Sequence, residues 1–335
     1  MGFGTTLHGG PVDSAELQRV REALLFEGNE RTYKLVRFSA LLLLSTAIAT
    51  FGLIGDSVAT VIGAMIVAPL MTPIMGLAFG VSVGSRRAIS SSLLIVLAGA
   101  TASIALGFLL AWPMRLTIDV ASSAQIASRT HPGLIDLGAA LATGLAGAFA
   151  TSRRDVADTL PGVAIAISLV PPLANTGILL AVGEYPLAWG SLLLFITNLL
   201  AILLSGAIVF GVMGFGRAAF AERSARAGHV ALALVVAFAL VITIPLAVAT
   251  TQAVEQRNVE QRVNTAADKW VAGSGYRVQT VNTDGTIIVR ITGSGPVPDK
   301  APLRAYLLGQ TQGQPVKVEI SPVESFTIET VTRGG

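Results

Sequence analysis

The chain is organised by long apolar stretches separated by short polar punctuation. Windows of about 20 residues that are apolar enough to cross a bilayer fall at 36–54, 58–84, 88–111, 134–152, 160–183, 187–213 and 230–250. Before the first of them, PVDSAELQRVREALLFEGNE predicts an amphipathic helix capped by Asp13, with Glu16 three residues on and Leu17, Val20 and Leu24 on one face. After the last, the period changes. Residues 251–272 predict a helix, YRVQTVN and TIIVRIT alternate around Thr283-Asp284-Gly285 as a hairpin, PDKAPLRAYLL predicts a helix and VKVEIS a strand. The expected architecture is an all-α polytopic membrane domain over 36–250, a cytoplasmic amphipathic helix within 1–35, and a small α+β soluble domain over 251–335.

Two of the apolar windows are unusual. GDSVATVIGAMIVAPLMTPIMGLAFG opens with Asp56 and carries Pro69 and Pro73; DTLPGVAIAISLVPPLANTGILLAVG opens with Asp158 and carries Pro171 and Pro172. Aligned on their acids and first mid-segment prolines, the two segments also match Val61 with Val163, Ala64 with Ala166 and Leu77 with Leu179, at a constant spacing of 102. Each is the second of three spans, so 36–111 and 134–213 are expected to be 3+3 inverted repeats with one extra span at 230–250. Proline deletes an N–H and clashes with the preceding turn. Backbone freed in this way is tolerated within a bilayer only where it is buried in protein or lines a water-filled cavity. Pro69, Thr72, Pro73, Pro171, Pro172, Asn175 and Thr176 are therefore the expected substrate- or ion-binding positions, near the membrane midplane. The competing reading is that the prolines are packing kinks.

Composition settles the class. Of 335 residues 52% are hydrophobic and 13% charged, with a mean hydropathy of +0.69. Between Phe38 and Gly84 the one ionisable side chain is Asp56. The net charge of +3 reflects loops and carries no argument for nucleic acid. With the N-terminus inside, the cytoplasmic side collects Arg19, Arg21, Arg31, Lys34, Arg37, Arg86, Arg87, Arg153, Arg154, Arg217, Arg223 and Arg226. The outer loops hold Arg115 and Arg129. That bias orients a multi-pass protein of the inner or plasma membrane, with the C-terminal domain outside. Trp112, Tyr185 and Trp189 fall at outer boundaries, where amphipathic aromatics anchor.

Asp56 and Asp158 are read either as N-caps of their own helices or as gating groups at the two mouths. Gly76, Gly80 and Gly84 form a small-residue face for helix packing, and Asn198 within its span should find a partner on a neighbouring helix. There is no cysteine, the three histidines are scattered, and no nucleophile–base pair, P-loop or dinucleotide fingerprint is present. No catalytic residue, metal or cofactor is therefore assigned.

The first motif, GDSVATVIGAMIVAPLMTPIMGLAFG, closely resembles a bacterial and archaeal membrane family, domain-of-unknown-function family 389. PGVAIAISLVPPLANTG is similar to its second hallmark, and the likeness runs from about Arg31 to Gly214. The resemblance implies a polytopic membrane domain that often carries extra soluble domains. It implies no substrate. The expected function is a transporter or channel-like protein for an ion or small polar solute. The alternative is an oligomeric membrane scaffold or sensor without flux. The lipid bilayer and further copies of the chain are the expected partners.

Overall fold

In the computed structural model the described residues are 12–120, 122–130, 132–153, 169–220, 258–282, 287–293, 299–307 and 316–322. They divide between two compact units, 1–247 and 248–335.

In the first unit the expected amphipathic helix is α1 (Ser14–Leu24). The Asp13 carboxylate accepts the Glu16 amide at 2.7 Å, and Val20 and Leu24 are buried. The chain then forms α2 (Arg31–Ile54), α3 (Val58–Val67), α4 (Met71–Ser82) and α5 (Arg86–Ala111). After a short 3-10 turn at Trp112–Met114 come a loop helix α6 (Ala124–Ala127), α7 (Leu134–Ser152), α8 (Val170–Val182), α9 (Tyr185–Met213) and α10 (Phe215–Phe220). Helices α2, α5, α7 and α9 are each long and apolar enough to cross a membrane. α3 and α4 pass the same test of length and composition as a pair bent by 50°, the form of a broken span or of a re-entrant loop. At 13 residues, α8 is about 20 Å long against a hydrocarbon core of about 30 Å. The rest of its expected span, 160–168, lies outside the described residues, as does the whole of 230–250.

The spans expose apolar side chains such as Leu44, Phe51, Ile66, Leu94 and Leu109 outward. Their buried faces combine large apolar side chains such as Leu53, Ile74, Phe79 and Phe210 with small residues and hydroxyls, which let helices gain by close approach where lipid is as apolar as a leucine core. Thr46 and Ser103 hydrogen-bond across α2 and α5 at 3.1 Å. A Cβ on Gly107 of α5 would stand 2.7 Å from the Ala174 carbonyl oxygen, and one on Gly177 of α8 would collide with the Ile104 carbonyl.

Half-helices α4 and α8 are placed alike. α4 packs on α5 and α9, α8 packs on α9 and α5, α2 packs on α5 and α8, and α7 packs on α9 and α4. Exchanging α2 with α7, α4 with α8 and α5 with α9 maps every one of these contacts onto another.

In the second unit, a helix over 258–271 is followed by β1 (Tyr276–Asn282), β2 (Ile287–Gly293), α11 (Lys300–Leu307) and β3 (Val316–Pro322). β1 and β2 are antiparallel, with a bulge between Val278 and Thr280, while β2 and β3 are parallel, as the intervening α11 crossover permits. The core holds Val263, Ala267, Trp270, Val289, Ile291 and Leu303, and the Trp270 indole N–H donates to the Asp299 carbonyl at 2.7 Å. This is the helix, strand, strand, helix, strand order that the alternation predicts.

Candidate functional site

Pro69 sits in the break between α3 and α4, half-buried, and Thr72 and Pro73 lie in the first turn of α4. Pro171 and Pro172 lie in the first turn of α8, fully buried. The prolines thus start helices. In a first turn the missing N–H would have had no helical partner, so proline is accepted there without a kink.

Met71 and Val170, the first residues of α4 and α8, are 99 positions apart. Arg86 and Tyr185, which open α5 and α9, have the same separation. So do Gly84 and Gly183, the left-handed residues at the two turns, with φ of 64° and 90°. Each turn is closed by one bond of the same span: Ser85 N–H donates to the Gly80 carbonyl and Glu184 N–H to the Leu179 carbonyl, both at 2.9 Å. Gly107 lies against Ala174; 99 positions on, Gly206 lies against Ala78 and Met75, with contacts of 3.1 Å. The spacing of 102 expected from the acids and prolines is therefore corrected to 99 for the described elements, and Pro73, not Pro69, corresponds to Pro172. Gly84 likewise serves as the left-handed turn, while Gly76 and Gly80 make the close approaches, to Ser92 and Leu24 and to Ala88 and Ile89.

The equivalence reaches the polar groups. Asn175 is fully buried. Its amide nitrogen donates to the Ile126 carbonyl and to Ser191 Oγ, both at 3.2 Å, and the Ser191 hydroxyl donates to the Pro172 carbonyl at 3.0 Å. Thr176 Oγ1 donates to the same carbonyl at 2.8 Å. In the first half, Gly76 takes the place of Asn175 and Ser92 that of Ser191, with Ser92 Oγ 2.9 Å from a Cβ built on Gly76. A carbonyl from a short preceding helix covers each spot: Leu24 O of α1 over Gly76, Ile126 O of α6 over Asn175. Among the described residues, Asn175 Oδ1 and Ser92 Oγ are buried without a hydrogen-bond partner. Sequence reading missed Ser92. Its one available signal is the 99-residue spacing to Ser191.

Asp56 does not cap α3. Ser57 does, accepting the Thr60 amide at 3.3 Å. Asp56 occupies the left-handed position (φ 50°) that ends α2, beside the Ser57 N–H to Gly52 carbonyl bond. Aspartate tolerates that conformation better than most residues. Its Oδ1 accepts the Gln125 amide at 2.8 Å and the Ser123 hydroxyl at 3.1 Å, which holds the start of α6. Further along that loop, burial pushes the Arg129 guanidinium below the usual arginine value, partly offset by Asp136. Asn198 is buried in α9, and Asp158 lies outside the described residues.

Four long apolar helices, a bent helix pair and helices that begin inside the fold define a polytopic membrane protein. Residues 65–204 match the family model described as "Domain of unknown function (DUF389)", and over that segment the chain is similar to this family. It is 32% identical over 174 residues to an uncharacterized protein of Methanocaldococcus jannaschii; the match spans about half of each, 52% of this chain and 53% of the relative. No solved structure matches the chain.

Proposed function

We propose that the protein is a membrane transporter or channel-like protein, not an enzyme, and that an ion or small polar solute crosses near the starts of α4 and α8. The observation that carries this reading is the 99-residue equivalence of the two half-helices, their left-handed turns and their contacts on α5 and α9. Helix starts inside the fold at corresponding places, one of them after a break between α3 and α4, are the kind of pointer to a transport site found in repeat-built membrane proteins. The two units of three spans would then be inverted repeats, and the positive loop charges favour a cytoplasmic N-terminus with the soluble unit outside.

The test is flux. Purified protein in liposomes is screened with ions and small solutes, comparing the original chain with Pro69→Ala and Asn175→Ala. Transport that falls several-fold in both variants supports the reading. If nothing moves, or both variants conduct like the original, the second reading stands: a homo-oligomeric membrane scaffold or sensor. Complete burial of Pro171, Pro172, Asn175 and Thr176 favours that alternative.

A further inference from the structure

Basic side chains of the second unit fall into two groups. On the sheet, Arg290 and Lys317 both pair with Glu319. On the 258–271 helix, Arg262 and Lys269 are exposed and form no ion pair among the described residues. Asn258, Arg262, Thr265 and Lys269 follow one another at steps of four, three and four, so they share one stripe of that helix. Val259, Val263, Ala267 and Trp270 take the buried face beside it.

The stripe lines a cavity of about 460 Å³, together with Gln261, Ala266 and Tyr306 of α11. Leu303 and Leu307 pack α11 into the same core as the helix, which sets Tyr306 beside the stripe. Two local bonds hold the helical wall in shape. Arg262 Nε donates to the Asn258 carbonyl at 3.2 Å, and the Thr265 hydroxyl donates to the Gln261 carbonyl at 2.8 Å. The Arg262 Nη groups, the Lys269 ammonium and the Tyr306 hydroxyl make no hydrogen bond among the described residues. The helix's own acids, Glu260 and Asp268, do not line the cavity.

Two like charges in one concave site favour an anion there. A carboxylate brings one charge and two oxygens. A phosphate monoester brings a charge of about −1.5 to −2 at neutral pH and three strong acceptor oxygens, which matches two cations and a hydroxyl donor. The volume lies in the range of small-molecule sites and leaves room for the rest of the ester beside the Asn258 and Gln261 amides.

We infer that this cavity binds a phosphate monoester, with Arg262 and Lys269 as its charge partners and Tyr306 as a hydroxyl donor. The site is independent of the transport reading. The same group occurs free, as in glycerol 3-phosphate, and on a lipid, as in phosphatidate.

The experiment titrates the full chain in detergent, by calorimetry, with glycerol 3-phosphate, dihexanoyl phosphatidate and acetate. Arg262→Gln and Lys269→Gln should each weaken ester binding about tenfold through the loss of a charge-assisted hydrogen bond. Both side chains are exposed, so the thermal midpoints should hold. Arg277→Gln, at an exposed position of β1 outside the cavity, should bind like the original chain. Acylation of Lys269, read by mass spectrometry against Lys317, should slow when an ester is bound. Binding of either ester with these losses supports the inference: the free ester alone identifies a soluble ligand, and phosphatidate alone a lipid headgroup. No binding of either ester, or equal affinity in all three variants, overturns it. Acetate bound as tightly as the esters overturns the phosphate chemistry.

Discussion

Asp56 reaches across 69 positions to take the Gln125 backbone N–H at 2.8 Å. It does so from a backbone conformation, φ 50°, that no other non-glycine described residue adopts. The left-handed turn ends α2 and turns the carboxylate toward α6. Because the group is exposed, its two bonds are worth roughly 1–2 kcal/mol together. Alanine would lose them and keep a left-handed strain of about 1 kcal/mol. Glycine would lose the bonds and release the strain, and asparagine would keep the shape and a neutral acceptor. Thermal midpoints in detergent should therefore order as original, Asp56→Asn, Asp56→Gly, Asp56→Ala. Finding Asp56→Gly at or below Asp56→Ala would show that the turn carries no strain.

That relationship also marks what could be read from the chain. Sequence reading placed Asp56 as a cap because an acid before an apolar run looks like one, and Ser57, one position on, is the actual cap of α3. The tertiary partner, Gln125, has no local signature. The break at Pro69 was legible because proline cannot donate and the flanking runs are too short to span separately. The acids and prolines suggest a spacing of 102, whereas the helix starts and left-handed turns recur at 99. Matching acids and prolines pulled Pro69 onto Pro171, whereas the helix starts are set by where the first unpaired N–H groups fall. Asn175 was found as a polar residue in an apolar run. Ser92 was not, since one serine among Ser90, Ser91 and Ser92 stands out only once its burial and its counterpart are known.

Gly177 and Gly138 should respond oppositely to alanine. A methyl group on Gly177 would run into the Ile104 carbonyl and the Phe108 amide of α5, both backbone, so helices α5 and α8 must separate. The expected cost is about 2–4 kcal/mol, in the range of overpacked cores. Around Gly138 of α7 nothing lies within 4 Å of an added Cβ, so alanine should be neutral or stabilising by up to about 1 kcal/mol through helix propensity. Thermal unfolding of the two variants side by side decides this. Equal midpoints would mean that α5 and α8 are not in backbone contact.

In the second unit, the Lys317 and Arg290 side chains, each bonded to Glu319 at 3.0 Å, hold its carboxyl below the usual glutamate value. The folded value is depressed, so the contribution to stability is present above the unfolded value of about 4.5 and is lost as pH falls through the folded value. Glu319→Gln should flatten the acid arm of the stability profile below about pH 4.5 and change little at neutral pH in high salt, where the exposed pairs are screened. Trp270 reports on this unit in a Trp112→Phe, Trp189→Phe background. An unchanged acid arm in Glu319→Gln would remove the pairs as a source of acid sensitivity.

The proposed inversion of the two halves can be tested with a thiol. The chain has no cysteine, so single substitutions report cleanly. Ser85 and Glu184 follow the two left-handed glycines and are the equivalent points of the two turns. If the halves are inverted, these points lie on opposite membrane faces, and the basic pair Arg86–Arg87 puts the first of them inside. In intact cells an impermeant maleimide should label Glu184→Cys directly and Ser85→Cys only after permeabilisation. Labelling of both from the same side would make the 99-residue spacing a parallel repeat, which would move the second turn and every later loop to the other face.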